Sequence, residues 1–332
     1  MEDEAATEED APTEDDSADS EPSDGSDTDS TPEPDADRED ESAGESGGRT
    51  DYGSLDDVRQ DLLTVATREL RTIARTPALL AISAAFAASV FGVAWAGTGG
   101  GGGFVPLTLD LLTFVEVLVP LLAIAFGYRS ILGDRGTGEL DVLRTFDVTR
   151  VAYVGGVYLG RALALVSLVV VTLLGVGLLV PFLTADIPTF LAINEAADSG
   201  IRYVRFVVLS GFFTLVVLAA TVAISAATRT VRTALAFAIA LAVALVLGID
   251  TALVAGLAGG LVPADGLAVL LALSPNSAFR GLVLTTAVGV VGGADIAAGH
   301  SLLNLVGLLL WWLGSLAIAV WRVWPAVEEI EA

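Results

Sequence analysis

Six stretches of this chain are apolar over a length close to or above the roughly 20 residues that a helix needs to cross a hydrocarbon core. They lie near residues 78–96, 107–127, 156–180, 204–227, 233–261 and 302–323. In lipid, each spanning segment has to satisfy its own backbone hydrogen bonds, and runs of this kind do so as helices. The expected fold class is therefore all-α, a polytopic integral membrane protein with about six transmembrane helices. The fifth run is overlong and is interrupted by Asp250, which predicts a tilt, a kink or a short outer helix beyond it.

Charge separates a tail from this body. Residues 1–50 hold 21 of the 41 Asp and Glu and only Arg38 and Arg49 among the basic residues, so most of the net charge of −24 is tail. Residues 1–53 are Asp, Glu, Ser, Thr, Pro and Gly without hydrophobic periodicity, a composition that cannot bury enough apolar surface to order itself. Every basic residue is Arg, and this lysine-free, acid-rich composition resembles that of salt-adapted, haloarchaeal proteins. At molar salt the Debye length is about 3 Å, so such a tail hydrates and repels at contact without drawing in a basic partner from afar. The charge sign also disfavours nucleic acid as a partner.

The residue inventory excludes most chemistry. There is no Cys, and Met1 and His300 are the only residues of their kinds, which argues against disulfides, thiolate sites, multi-histidine metal sites and a Ser/His/Asp set. A Walker phosphate loop needs Gly-Lys, which a chain without lysine cannot supply. The run Gly99–Gly103 is thus expected to be a turn between the first two spans and not a nucleotide site. No catalytic residue, metal ligand or bound cofactor is expected on this chain. The first apolar run follows an acidic stretch where a short basic region would announce a cleavable signal peptide, so the first span is expected to direct insertion itself.

Residues 54–76 form an expected amphipathic entry helix. Ser54-Leu55-Asp56-Asp57 is a variant of the capping box, and Leu55, Val58, Leu62, Val65, Ala66, Leu70 and Ile73 recur at helical spacing. With Arg59, Arg68, Arg71 and Arg75 mostly off that stripe, the helix is expected to lie along the membrane surface until Pro77 turns the chain into the bilayer. Arginine also sets orientation. Arg129, Arg135, Arg144 and Arg150 lie between spans two and three, Arg229 and Arg232 between four and five, and Arg322 ends span six. The opposite side has only Arg202, Arg205 and Arg280, so both termini are expected to be cytoplasmic. The expected body runs over 77–325, with a cytoplasmic loop at 128–161, a broken apolar external segment at 264–300 and a short C-terminal tail at 326–332. The external segment should form short helices packed on the outer face or dipping into it.

The loop is far longer than a hairpin between spans requires. Leu140, Leu143 and Phe146 fall at helical spacing, which predicts a short membrane-parallel helix that presents a ridge to a cytosolic partner, with Glu139, Asp141 and Arg144 near it. The loop pattern Arg135-Gly136-Thr137, Glu139-Leu140, Leu143-Arg144, Thr149-Arg150 and Leu159-Gly160-Arg161 resembles that of ABC type-2 permeases. The permeases of nitrous-oxide-reductase maturation transporters are the most similar in pattern. Ala66 to Arg71 resembles the family's entry helix, Thr228-Arg229-Thr230 the start of its fifth span, Gly248-Ile249-Asp250 its acidic interruption, and Ser274 to Arg280 its external element. Three differences stand out: Asp147-Val148 replaces a proline, Gly155-Gly156-Val157 a lysine, and Ser274 an asparagine.

The resemblance covers about residues 55–325 and implies an ATP-driven transporter in the cytoplasmic membrane. In such an assembly two permease subunits pair, and each carries a cytosolic ATPase that holds ATP and Mg. The implied coupling residues are Gly138, Glu139, Leu140, Leu143, Arg144, Phe146 and Arg150, with Pro275, Phe279 and Arg280 in the external element. Within the spans, Glu116 sits near mid-membrane, where an acidic side chain costs roughly 2.5–3.5 kcal/mol on insertion scales. Protonation, a hydrated cavity or a bond to a neighbouring Ser or Thr would each accommodate it. Asp250 is the second intramembrane polar site, and Arg280 is expected to pair with Asp265 or Asp295. The alternative class is an ion-coupled secondary transporter or channel that uses Glu116 and Asp250, for which inverted repeats would be the support. A membrane scaffold recruiting partners through the acidic tail is a third reading. Without Cys, His clusters or internal Met, copper ligation by this chain is disfavoured.

Overall fold

The computed structural model describes residues 55–96, 103–140, 145, 148–183, 199–260, 267–288 and 300–324. The acidic tail, most of the glycine run, Leu143, Arg144, Phe146, Asp265, Asp295 and residues 326–332 lie outside them. Every regular element among the described residues is helical, and six helices are long and apolar enough to cross a membrane. The entry helix α1 is Leu55–Arg75 and the first span α2 is Pro77–Ala96. Span two is α3, Phe104–Gly127, followed by a short helix α4, Leu132–Gly136, in the loop. Spans three and four are α5, Arg150–Leu183, and α6, Gly200–Ala227.

Span five breaks where the sequence signals it. Helix α7, Val231–Val243, runs into a π-helical turn at Ala244–Gly248, and α8, Ile249–Ala258, continues with Asp250 in its first turn. Two short helices, α9 (Leu267–Leu273) and α10 (Pro275–Val283), meet at Ser274, and a second π-helical turn, Leu284–Val288, follows. Span six is α11, Ser301–Arg322.

Burial ranks the spans. In α6, 72% of the apolar window is buried, against 17% in α2 and 22% in span five, so α6 is the axis and the others surround it. It is apolar around most of its circumference, as a helix buried over most of its length must be. Its Ser210, Thr214 and Thr221 hydroxyls donate to carbonyls four residues back, which satisfies them without an outside partner. Tyr158 of α5 donates to the Leu215 carbonyl of α6 at 2.9 Å and accepts from the Trp312 indole of α11 at 2.7 Å, tying three spans together.

The entry helix packs on α5, and glycine permits it. A Cβ at Gly156 would stand 2.8 Å from the Leu62 carbonyl oxygen, and one at Gly160 would stand 2.6 Å from that of Ala66. Gly156 and Gly160 form a small-xxx-small pair that lets two helix backbones touch. The apolar stripe read for α1 is thus partly spent on α5: Ala66 and Ile73 are buried, and Leu62 and Val65 meet the glycines.

The segment after span five enters the bundle. Ring stacking of Phe279 on Phe213 (centroids 4.6 Å apart, planes at 13°) puts α10 beside the fourteenth of the 28 residues of α6. The Trp311 indole, on the eleventh of the 22 residues of α11, donates to the Leu273 carbonyl at 2.8 Å. Arg202 and Arg205, in the first turns of α6, donate to the Val288 and Thr286 carbonyls. Helix α9 therefore descends to the middle of the spans, turns at Ser274, and α10 climbs back to the end where α6 begins. The described part of the expected external segment, 267–288, thus packs into the bundle.

Candidate functional site

The polar side chains gather in two places, at the loop end of the bundle and halfway along it. The loop-end cluster is built on α4. Backbone N–H groups of Ile131 and Leu132, at its N-terminus, donate to Ser225 Oγ of α6 at 3.1 and 3.2 Å, which satisfies donors that a helix start leaves open. Adjacent residues of α4 then face opposite partners. Arg135 donates to the Thr228, Ala226 and Val323 carbonyls at 2.6, 3.1 and 3.0 Å, so one guanidinium holds the ends of α6 and α11. Cationic donors belong at helix C-termini, where carbonyls and the helix dipole are negative.

Asp134 faces the other way. Its Oδ2 accepts from Arg68 of α1 at 2.7 Å and from the Tyr153 hydroxyl of α5 at 2.8 Å. Arg68 also pairs with Glu69 at 3.2 Å and with Glu139, so three carboxylates share one guanidinium. Burial alone would lower the pKa of Arg68, but the charge and hydrogen bond of Asp134, with Glu139 and Glu69 beside it, raise it above its ordinary value. Glu69 is only 3% exposed and pairs with Arg161 of α5 at 2.7 Å; Arg161 donates to the Phe126 carbonyl of α3 as well. The loop, α1, α3 and α5 are thereby joined through one ionic network. Beside it lies a cleft of about 770 Å³ between α1, α2, α3 and α7, with Arg68, Glu69, Asp134, Glu139 and Arg161 among its walls.

The residues expected to couple to a partner do not all face outward. Gly138 takes φ +75°, a left-handed conformation that reverses the chain after α4 and favours glycine. Glu139 is 46% exposed on its side chain and is already held by Arg68. Leu140 is 4% exposed and belongs to the core, which corrects its expected place on a partner-facing ridge. The reason is that Gly138 turns the chain so that Leu140 meets the bundle. Arg150 is exposed at the start of α5, its guanidinium 5.4 Å from the Trp324 ring centre. Leu143, Arg144 and Phe146, and with them most of the expected loop helix, lie outside the described residues.

The second place is the middle of α3. Glu116 lies twelve residues after Phe104 and eleven before Gly127, about 18 and 16 Å from the two helix ends. It is 2% exposed, and Arg280 of α10 pairs with both of its carboxylate oxygens, the Nε–Oε1 separation being 2.8 Å. This fork-to-fork geometry is the strong form of the interaction. A cation thus joins protonation, a hydrated cavity and a hydroxyl bond among the ways in which Glu116 is accommodated, and Asp265 and Asp295, the expected partners of Arg280, lie outside the described residues. Pro120 adds to the polarity here, because it has no N–H to give to the Glu116 carbonyl. Phe279 stacks in the core and Pro275 starts α10, so the external element serves to bring Arg280 inward. For Asp250 the structure describes the backbone, in the first turn of α8, and not the side chain.

Sequence reasoning missed Asp134, Arg135, Tyr153 and Ser225 as tethers. Arg135 and Arg161 stood in the quoted loop motifs, and Glu69 in the entry-helix motif, but no pattern in one sequence says which charge meets which.

Comparison with known proteins places the chain in a family. A family model described as ABC-2 family transporter protein matches residues 63–323. The probable ABC transporter permease protein NosY of Stutzerimonas stutzeri is 30% identical over 278 residues, covering 78% of this chain and 96% of that protein. The protein of the same description from Pseudomonas aeruginosa is 38% identical over 119 residues, which cover 34% of this chain and 42% of that protein. On the breadth of the family match and of the first of these relatives, with six helices able to span a membrane, the chain belongs to the ABC-2 transporter family and is a multi-pass membrane permease of an ABC transporter.

Proposed function

We propose that the chain is the membrane-spanning subunit of an ATP-driven transporter of the cytoplasmic membrane, coupled to a separate cytosolic ATPase and paired with itself or a sister permease. ATP and Mg belong to that ATPase; this chain offers no lysine for a phosphate loop. Both termini and the α4 loop are cytoplasmic in this reading, as the arginine distribution requires.

The observation that carries the reading is the opposite facing of Asp134 and Arg135. Through Arg135 a push on the loop bears on the ends of α6 and α11, and through Asp134 it bears on α1 and α5. A short loop element held on both sides can convert closure of a cytosolic subunit into relative movement of two groups of spans. Exposed loop charges steer and register a partner more than they add affinity, which suits the exposed face of Glu139. Glu116 is held by Arg280 through both carboxylate oxygens, and this favours a positioning role over ion coupling.

The test is removal of Gly138–Phe146. The shortened protein is expected to insert normally and to lose the co-purifying ATPase. Retention of a stoichiometric ATPase by the shortened protein would sink the assignment of this loop.

A further inference from the structure

From the depth and exposure of one cation we infer that Arg280 lines a hydrated translocation path and meets an anionic cargo there, an inference that rests on the transporter reading above. Three observations fix the depth. Arg280 pairs with Glu116 at the centre of α3, its neighbour Phe279 stacks on the midpoint of α6, and the corner before α10 is held by the midpoint of α11. The side chain is nevertheless 48% exposed, while its carboxylate partner is 2% exposed behind it.

An arginine at this depth does not face hydrocarbon, because intramembrane charges turn to protein or to a water-filled cavity. The half-exposed side therefore faces water or an apposed subunit, and the re-entrant hairpin is the device that delivers it. What a passing molecule meets is the cationic member of the pair. Its planar donors suit carboxylate, phosphate or sulfur oxyanions. Ser277, three residues before Arg280 on α10, shares its face and is partly exposed.

The chain has no cysteine, so a single one can be placed and probed in the full-length protein in its membranes. Ser277→Cys is treated with the anionic sulfonatoethyl and the cationic trimethylammonioethyl methanethiosulfonates, from each side, with and without ATP. Ser301→Cys, at the start of α11, serves as reactive reference. A one-turn separation from Arg280 is expected to favour the anionic reagent by roughly fivefold relative to the reference. The preference should vanish in a background of Glu116→Gln with Arg280→Gln, which keeps the pair neutral and avoids a lone buried charge. Arg280→Lys should retain it. No reaction at position 277 with either reagent, or a preference that survives loss of the pair, overturns the inference. A preference that follows Arg280 but ignores ATP leaves the site standing and counts against the ATP-coupled reading alone.

Discussion

The two charged regions solve opposite problems. At the loop end one guanidinium is shared by Asp134, Glu139 and Glu69, Arg161 takes Glu69 from the other side, and solvent reaches part of the group. At mid-span a bidentate pair stands between α3 and α10, with the acid enclosed. A shared network near water can lose a member and reform around the rest, which suits a place where an outside push is received. A bidentate pair whose acid is enclosed while its cation is half exposed anchors the re-entrant segment at one point and leaves the cation toward water. The same ion-pair chemistry thus gives adjustability in one region and an anchor in the other.

The largest effect should come from breaking the pair at mid-span. Arg280→Gln leaves the enclosed Glu116 without this cation; breaking a fully buried pair costs about 3–5 kcal/mol, and because Arg280 is half exposed the loss should lie at the low end, about 3 kcal/mol. Thermal unfolding of the detergent-solubilised protein should show it, with most of the loss regained when Glu116→Gln is added. If the single and double variants melt alike, the contrast between the regions fails. Next comes the seam under the loop-end network. Gly160→Val drives a side chain into the Ala66 carbonyl and the Glu69 Cβ, and overpacking of this kind costs about 1–3 kcal/mol. It should separate α1 from α5 and expose α1 to limited proteolysis while the six spans stay inserted. The smallest effect belongs to Glu139→Gln. Its carboxylate is half exposed and Arg68 keeps two other acids, so the loss should be within about 1 kcal/mol by the same melting assay.

The spans were legible because lipid imposes length and apolarity segment by segment, and their bounds in the structure differ mainly by a few residues added at the helix starts. Span five was legible as broken because Asp250 marked it. Pairing was not legible. Nothing local in Glu116 points 164 positions ahead to Arg280, and the segment between the fifth and sixth spans allowed an external or an inserted form equally. The role of Gly156 and Gly160 was not legible either, and it appears only when α1 lies against them. Leu140 had the right spacing for a partner-facing ridge, but spacing gives a face and not its direction; Gly138 decides that.

The most direct test of the account is affinity capture of the full-length tagged chain from native membranes in mild detergents, with mass spectrometry of what accompanies it. The account predicts an ATPase with Walker motifs in stoichiometric amount. Recovery of the chain alone across several mild detergents would contradict the ATP-driven mechanism and return the weight to an ion-coupled one.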